Sequence, residues 1–238
     1  MRFRLALLLV PVAALALAES ALPREPSSLP DDVPDFVAAA AERSVGDFAY
    51  ALAEARFPAG VVAFESDSRP PVATSYRSSG DDAVVPLEVA LGLFRSRHPT
   101  YEVEEQDGVL VVRERELDLG QGPLARGAER IRIQVLPLRA AFNQAMRIVD
   151  PSIQVRDGFV GSIIGRPAEP SPLGLFRTQV TLDMSNATLP TVLNEIVKQA
   201  RGTVWILSQH GRSPEDQYYT LAFRTWGGTL SQFEEKLR

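Results

Sequence analysis

Apolar and polar positions follow two rhythms along this chain, one helical and one stranded. Leu87, Ala90, Leu91 and Phe94 stand at i, i+3, i+4 and i+7, which lays one apolar stripe along a helix. Leu138, Ala141, Phe142, Ala145, Met146 and Val149 keep the same rule over a longer span, as do Leu189, Val192, Leu193, Ile196, Val197 and Ala200. Phe48, Ala51, Leu52 and Ala55 make a weaker fourth copy. Pro86, Pro137 and Pro190 lie at or near three of these starts, where a missing N–H costs least. The fourth opens with Ser44 and Asp47 in the spacing of a capping box.

The second rhythm has a period of two. Ile131, Ile133 and Val135 alternate with Arg132 and Gln134, and Val180, Leu182 and Met184 alternate with Thr181, Asp183 and Ser185. Both patterns predict strands buried on one side. Tyr101–Glu105 and Val109–Glu114 are joined through Asp107-Gly108, a hairpin signal. Val61–Glu65, Ser152–Val155, Thr203–Leu207 and Tyr218–Phe223 complete the predicted strands.

Three breaks organise these elements. Glu19–Asp35 is rich in Pro, Ser and Asp and predicts an extended leader outside the core, with the leader as a whole set at 19–42. Gly120–Gly127 predicts a linker, set at 117–128, whose glycines lack dinucleotide-binding spacing and precede a strand. Gly165–Gly174 predicts a long surface loop. The chain then divides into a module at 43–116, a second at 129–228 and a tail or short helix at 229–238. Four similar stripes in one chain point to tandem duplication. The expected fold class is α+β: two small modules of βαβ-βαββ type, each with its own mixed or antiparallel sheet packed by two helices. The two modules are expected to superpose, and one continuous sheet threading both halves, or unrelated topologies, would overturn the duplication.

Composition then narrows compartment and partners. Arg2 and Arg4 precede an apolar run from Leu5 to Ala18, which ends in Ala16-Leu17-Ala18, the form of a signal-peptidase site. Residues 1–18 are therefore expected to be removed, giving a periplasmic or secreted bacterial protein that begins at Glu19. That run is shorter than the roughly 20 residues of a spanning helix, so no stable membrane insertion is expected after cleavage. Retention of the run as an anchor is the rival reading. With no cysteine, the chain has no disulfides, thiolate chemistry or thiolate metal sites. A formal charge of −5 argues against a general affinity for nucleic acid.

The candidate chemistry is thin. His98 and His210 are the only histidines, and both are read as loop or turn residues. Glu102 and Glu104 share a strand face that solvation explains more simply than acid–base work. Ser162 lacks the strand–elbow–helix setting of a hydrolase nucleophile. Asn186-Ala187-Thr188 matches a glycosylation acceptor but reads better as a helix cap. No catalytic, cofactor-binding or metal-binding residue is assigned, and no cofactor is expected. Trp205 is read as core, and Trp226, before Gly227-Gly228, as a contact residue.

Val84–Phe94 followed by Tyr101–Val112 resembles the second half of the short N-terminal domain of secretins and TonB-dependent receptors, and Val180–Leu207 resembles the same half-unit. The resemblance implies two tandem STN-like modules and a role in gathering envelope partners. Members of that family carry the module ahead of a barrel or ring-forming region; none is expected within residues 43–238, so their transport role is not implied. The chain is thus expected to be a non-enzymatic interaction module with an envelope protein or peptide partner. Arg166, Phe176, Arg177 and Trp226 are expected to touch that partner. A secretion or pilus assembly accessory and a periplasmic enzyme with a site between the modules stand as alternatives.

Overall fold

The computed structural model describes residues 29–68, 83–117, 123–157, 178–200, 202–211, 213 and 215–225. The fold is mixed α+β. The first half runs β1 (Asp32–Pro34), α1 (Asp35–Ala41), α2 (Val45–Glu54), β2 (Ala59–Phe64), β3 (Val84–Pro86), α3 (Leu87–Arg97), β4 (Tyr101–Gln106) and β5 (Val109–Glu114). After a 3-10 turn at Pro123–Ala125, the second half runs β6 (Gly127–Pro137), α4 (Leu138–Val149), β7 (Gln154–Asp157), β8 (Gln179–Thr188), α5 (Leu189–Gln199), β9 (Thr203–His210) and β10 (Tyr218–Thr225).

The helices begin as the sequence predicts, with one addition. Pro86 and Pro137 cap α3 and α4, and Pro190 lies in the first turn of α5. Asp47 N–H donates to Ser44 Oγ at 3.0 Å, closing the start of α2. The addition is Pro34, which ends β1 and caps α1 just as Pro86 follows Val85. Residues 29–42 are therefore part of the core and not an extended leader. Val33, Phe36, Val37, Ala40 and Ala41 form a helical stripe, and all five are buried. Four of its five members are small or β-branched, so the stripe carries little large apolar signal in the sequence. The true counterpart of the later stripes is α1, while α2 is an extra helix of the first half.

Strand pairing corrects the expectation of two separate sheets and, with it, the picture of two independent, superposable modules. A single six-stranded sheet runs β4-β5-β2-β9-β10-β7, flanked by two-stranded ribbons β1-β3 and β6-β8. The halves meet where β2 pairs in parallel with β9, from Ala59 opposite Val204 to Phe64 opposite Gln209. β2 is an apolar run throughout and β9 carries one in Val204–Leu207, as parallel strands buried on both faces do. Neither could finish a one-sided sheet without leaving an apolar face in water.

Within that sheet each half follows one scheme. In the first, β4 is antiparallel to β5 and β5 parallel to β2; in the second, β9 is antiparallel to β10 and β10 parallel to β7. The lateral order is the same, but the parallel β2–β9 seam makes every strand direction opposite. A unit turned end over end in this way presents its other face. The helices of the two halves therefore lie on opposite sides of the sheet. Val61, Leu110, Val112, Val204 and Ile206 pack into the core of α1–α3, whereas Val62, Val111, Trp205, Leu207 and Phe223 pack into the core of α4 and α5.

At the seam the packing is tight. Trp205 is fully buried and its indole N–H donates to Asn194 Oδ1 on α5 at 2.9 Å. The ring lies so close to Gly60 that a Cβ there would fall 2.0 Å from Trp205 Cε2. Trp205 is thus core, as read from the sequence. Among the described residues, no helix is long and apolar enough to cross a membrane.

Candidate functional site

The polar residues that could carry chemistry are dispersed. His98 caps the C-terminus of α3 and packs between Phe94 and Tyr101, with ring centroids 4.7 and 6.2 Å away. Burial and the neighbouring Arg97 lower its pKa, against a hydrogen bond with the Ala41 backbone and the charge of Asp67. Tyr101 donates to Asp67 Oδ2 at 2.8 Å, and burial together with that bond raises the phenol pKa far above its usual range. His210 corrects its reading as a turn residue: it ends β9 and is buried, 2.8 Å from Thr220 Oγ1 and stacked on Tyr218. The β9–β10 pairing extends the strand to that point, so Gly211 begins the turn. Glu65 Oε2 lies 3.7 Å from His210 Nδ1, across the seam.

A second polar group joins the halves beneath α2. Tyr50 is buried beside Glu54 and Arg224; burial and Glu54 push its phenol up to about 12, and Arg224 acts the other way. Burial lowers the Arg224 pKa, which Tyr50 opposes. Among the described residues, no three His, Cys, Asp or Glu side chains gather as metal ligands.

One cleft opens on the α4–α5 side of the seam, with a volume of about 230 Å³. Val62, Val111 and Trp205 line its apolar part, while Gln106, Arg113 and Thr191 line its polar part. Arg113 already binds Glu102 at 2.7 Å and Glu104 at 3.6 Å, so its charge is engaged. Glu102 and Glu104 do share a strand face, as the alternation predicts. Their partner is that arginine, not a reacting group.

The larger open feature is the β6-β8 ribbon. It pairs from Gly127 opposite Thr188 to Pro137 opposite Gln179, whereas the β1-β3 ribbon spans only three residues per strand. Ile131, Ile133, Val180 and Leu182 face the core, and Arg130, Arg132, Thr181 and Asp183 face outward. β6 bulges between Ile133 and Leu136, where Val135 has φ +47 and is exposed. That conformation is strained for a β-branched residue. β8 runs without a bulge from Val180 to Ser185, and Asn186, at φ +51, closes the straight stretch. Asn186 is not the helix cap; Thr188 is, and its hydroxyl lies 2.9 Å from that of Thr191.

Helix side chains reach both outer edges of this ribbon. Gln144 on α4 donates to the Arg132 carbonyl at 3.2 Å. Gln199 on α5 accepts from Thr181 N–H at 3.0 Å and donates to the Thr181 carbonyl at 3.0 Å. A single side-chain amide thus satisfies the donor and acceptor that a neighbouring strand would engage. Nothing in the spacing of β8 or α5 marks Gln199 for this; it follows from packing the helix back along the ribbon.

Arg166, Phe176, Arg177 and Trp226, with the Gly165–Gly174 loop and Ser162, lie outside the described residues, as does the segment 1–18. Compared with known proteins, the chain matches no family model, no curated protein and no solved structure.

Proposed function

We propose that this chain acts by contact, as an exported non-enzymatic interaction module of a bacterial cell envelope that takes a protein or peptide partner. The observation that carries the reading is the long β6-β8 ribbon, whose outer edges pair with no further strand among the described residues, while its counterpart spans only three residues per strand. The repeated order β-α-β, β-α-β-β, interrupted once by α2, supports it as the order implied by the resemblance to STN-like domains. The signal-like segment Arg2–Ala18 supports the compartment. Arg166, Phe176, Arg177 and Trp226 remain the proposed contacts outside the ribbon.

A photo-crosslinking amino acid placed at Asp183 in the producing cell tests this, with the same group at Arg95 on α3 as control. A discrete adduct from the ribbon position alone, on a chain whose mass begins at Glu19, is the expected result. Equal adducts from both positions, no adduct, or a product retaining Met1 would each count against the corresponding part of the proposal.

A further inference from the structure

Among the described residues, the strand edges left without a further strand are not equivalent, and their differences single one out. The outer edge of β4 carries Glu102, Glu104 and Glu105, a charged row of the kind that discourages pairing. β7 is four residues long, and β1 and β3 are three. The β6 edge is broken by its bulge at Val135. β8 keeps a straight row. Leu182 and Met184 stand opposite Ile133 and Ile131 in register, and the outward bonds of Thr181 set the alternation along the strand. By that alternation the N–H and C=O groups of Asp183 and Ser185 also point away from β6.

We propose that the outer edge of β8, from Thr181 to Ser185, receives an extended peptide segment as an added strand, and that Gln199 occupies the first position of that edge until the segment displaces it. This rests on the contact reading above and assigns it a place and a partner class. The Gln199 carboxamide is a chemical copy of a peptide unit, and its two bonds to Thr181 are those a strand residue would make. Displacement therefore exchanges like for like at Thr181, and the new bonds arise at Asp183 and Ser185. Gln199 is not stranded by leaving, since its Nε2 already lies 3.3 Å from Glu195 Oε1. Asp183 is exposed on the outer face, where its contact with Arg130 is 3.4 Å long. The preferred segment is thus extended, free of proline at the pairing positions, and basic at the residue opposite Asp183.

The test pans random dodecapeptides displayed on phage against the purified exported chain and measures the affinity of those enriched. Ser185→Pro removes one outward N–H while sparing the groups that pair with β6 and the Asp183 carboxylate, and should weaken binding about tenfold, the 1.4 kcal/mol within reach of one backbone hydrogen bond. N-methylating alternate amides of the peptide should do the same without altering the protein, which guards against a variant that folds poorly. Gln199→Ala removes the competing side chain and should tighten binding roughly threefold or more. Enriched peptides indifferent to all three changes would overturn the β8 assignment while leaving the contact reading intact. Failure to enrich any peptide would overturn the assignment, and if the Asp183 crosslink is also absent the contact reading falls with it.

Discussion

β4 and β9 occupy the same place in their halves, each entering three residues after the cap of the preceding helix and each leading into an antiparallel partner. Their surroundings have made them opposites. All eight residues of β9 are buried, whereas only Tyr101 of β4 is. Trp205 and Val103 face the helices of their own half. On the reverse face β9 has Val204 and Ile206, and β4 has Glu102 and Glu104. The reverse face of β9 is covered because the first half's helices extend across the seam. Nothing among the described residues covers the reverse face of β4, and its glutamates share Arg113. One pattern of backbone thus yields an interior strand or a sheet edge according to two side chains. The joining of half to half happens once and then stops.

The sharpest way to break this comparison is at the seam itself. Gly60 lies under the Trp205 ring, and both backbones belong to strands paired on each side, so neither can retreat. Gly60→Ala should cost on the order of 3 kcal/mol through overpacking. Urea unfolding would show a large fall in midpoint, in one transition, because the two cores share these strands. A midpoint change of a few tenths of a molar, or separate transitions for the halves, would mean that the seam is not their common support.

A second change asks whether charge alone keeps β4 an edge. Giving it the reverse face of β9, as Glu102→Val with Glu104→Ile, should leave the monomer fold nearly unaltered because these positions are partly exposed. It should create a concentration-dependent association, since an apolar, uncovered edge is a template for pairing. Sedimentation velocity would reveal it as a species larger than one chain. A double variant that stays monomeric at high concentration would show that strand geometry, not the glutamates, blunts this edge.

How much of this could be read in advance follows from the range of each interaction. The stripes of α3, α4 and α5 and the Asp107-Gly108 turn rest on neighbours within about a dozen residues, and their signals are local. The core position of Trp205 is legible from the apolar run around it, although Gly60, which it packs on, is distant in the chain. Asp107 and Gly108 take φ +53 and +75, as a tight hairpin of this type requires. The stripe of α1 was equally local but was written in alanine and valine next to a proline-rich stretch, so composition hid it. The β2–β9 seam brings together residues about 145 apart in the chain. Its trace was the lack of alternation in Ala59–Phe64 and Thr203–Leu207, which marks burial on both faces but names no partner. Gln199 had no trace at all: any polar residue is acceptable late on a helix, and only the return of α5 along β8 gives it Thr181.

The smallest expected effect comes from the other informative glycine. Gly92 lies in the middle of α3, on its exposed side, and a Cβ added there meets nothing within 4 Å. Glycine in a helix interior is worse than alanine by about 1 kcal/mol, because the unfolded chain has more freedom to lose. Gly92→Ala should therefore stabilise the protein by roughly 0.5–1 kcal/mol, opposite in sign to the same change at Gly60. The two variants, unfolded side by side in urea, separate a glycine held by close packing from one that packing does not need. A loss of stability in Gly92→Ala would show that this face of α3 is covered after all. If stability rises as expected, the crosslinking and peptide-binding measurements can be repeated on that variant. Binding unchanged by Gly92→Ala would keep the partner on the second half's ribbon, and binding lost by it would move the contact to the face of α3.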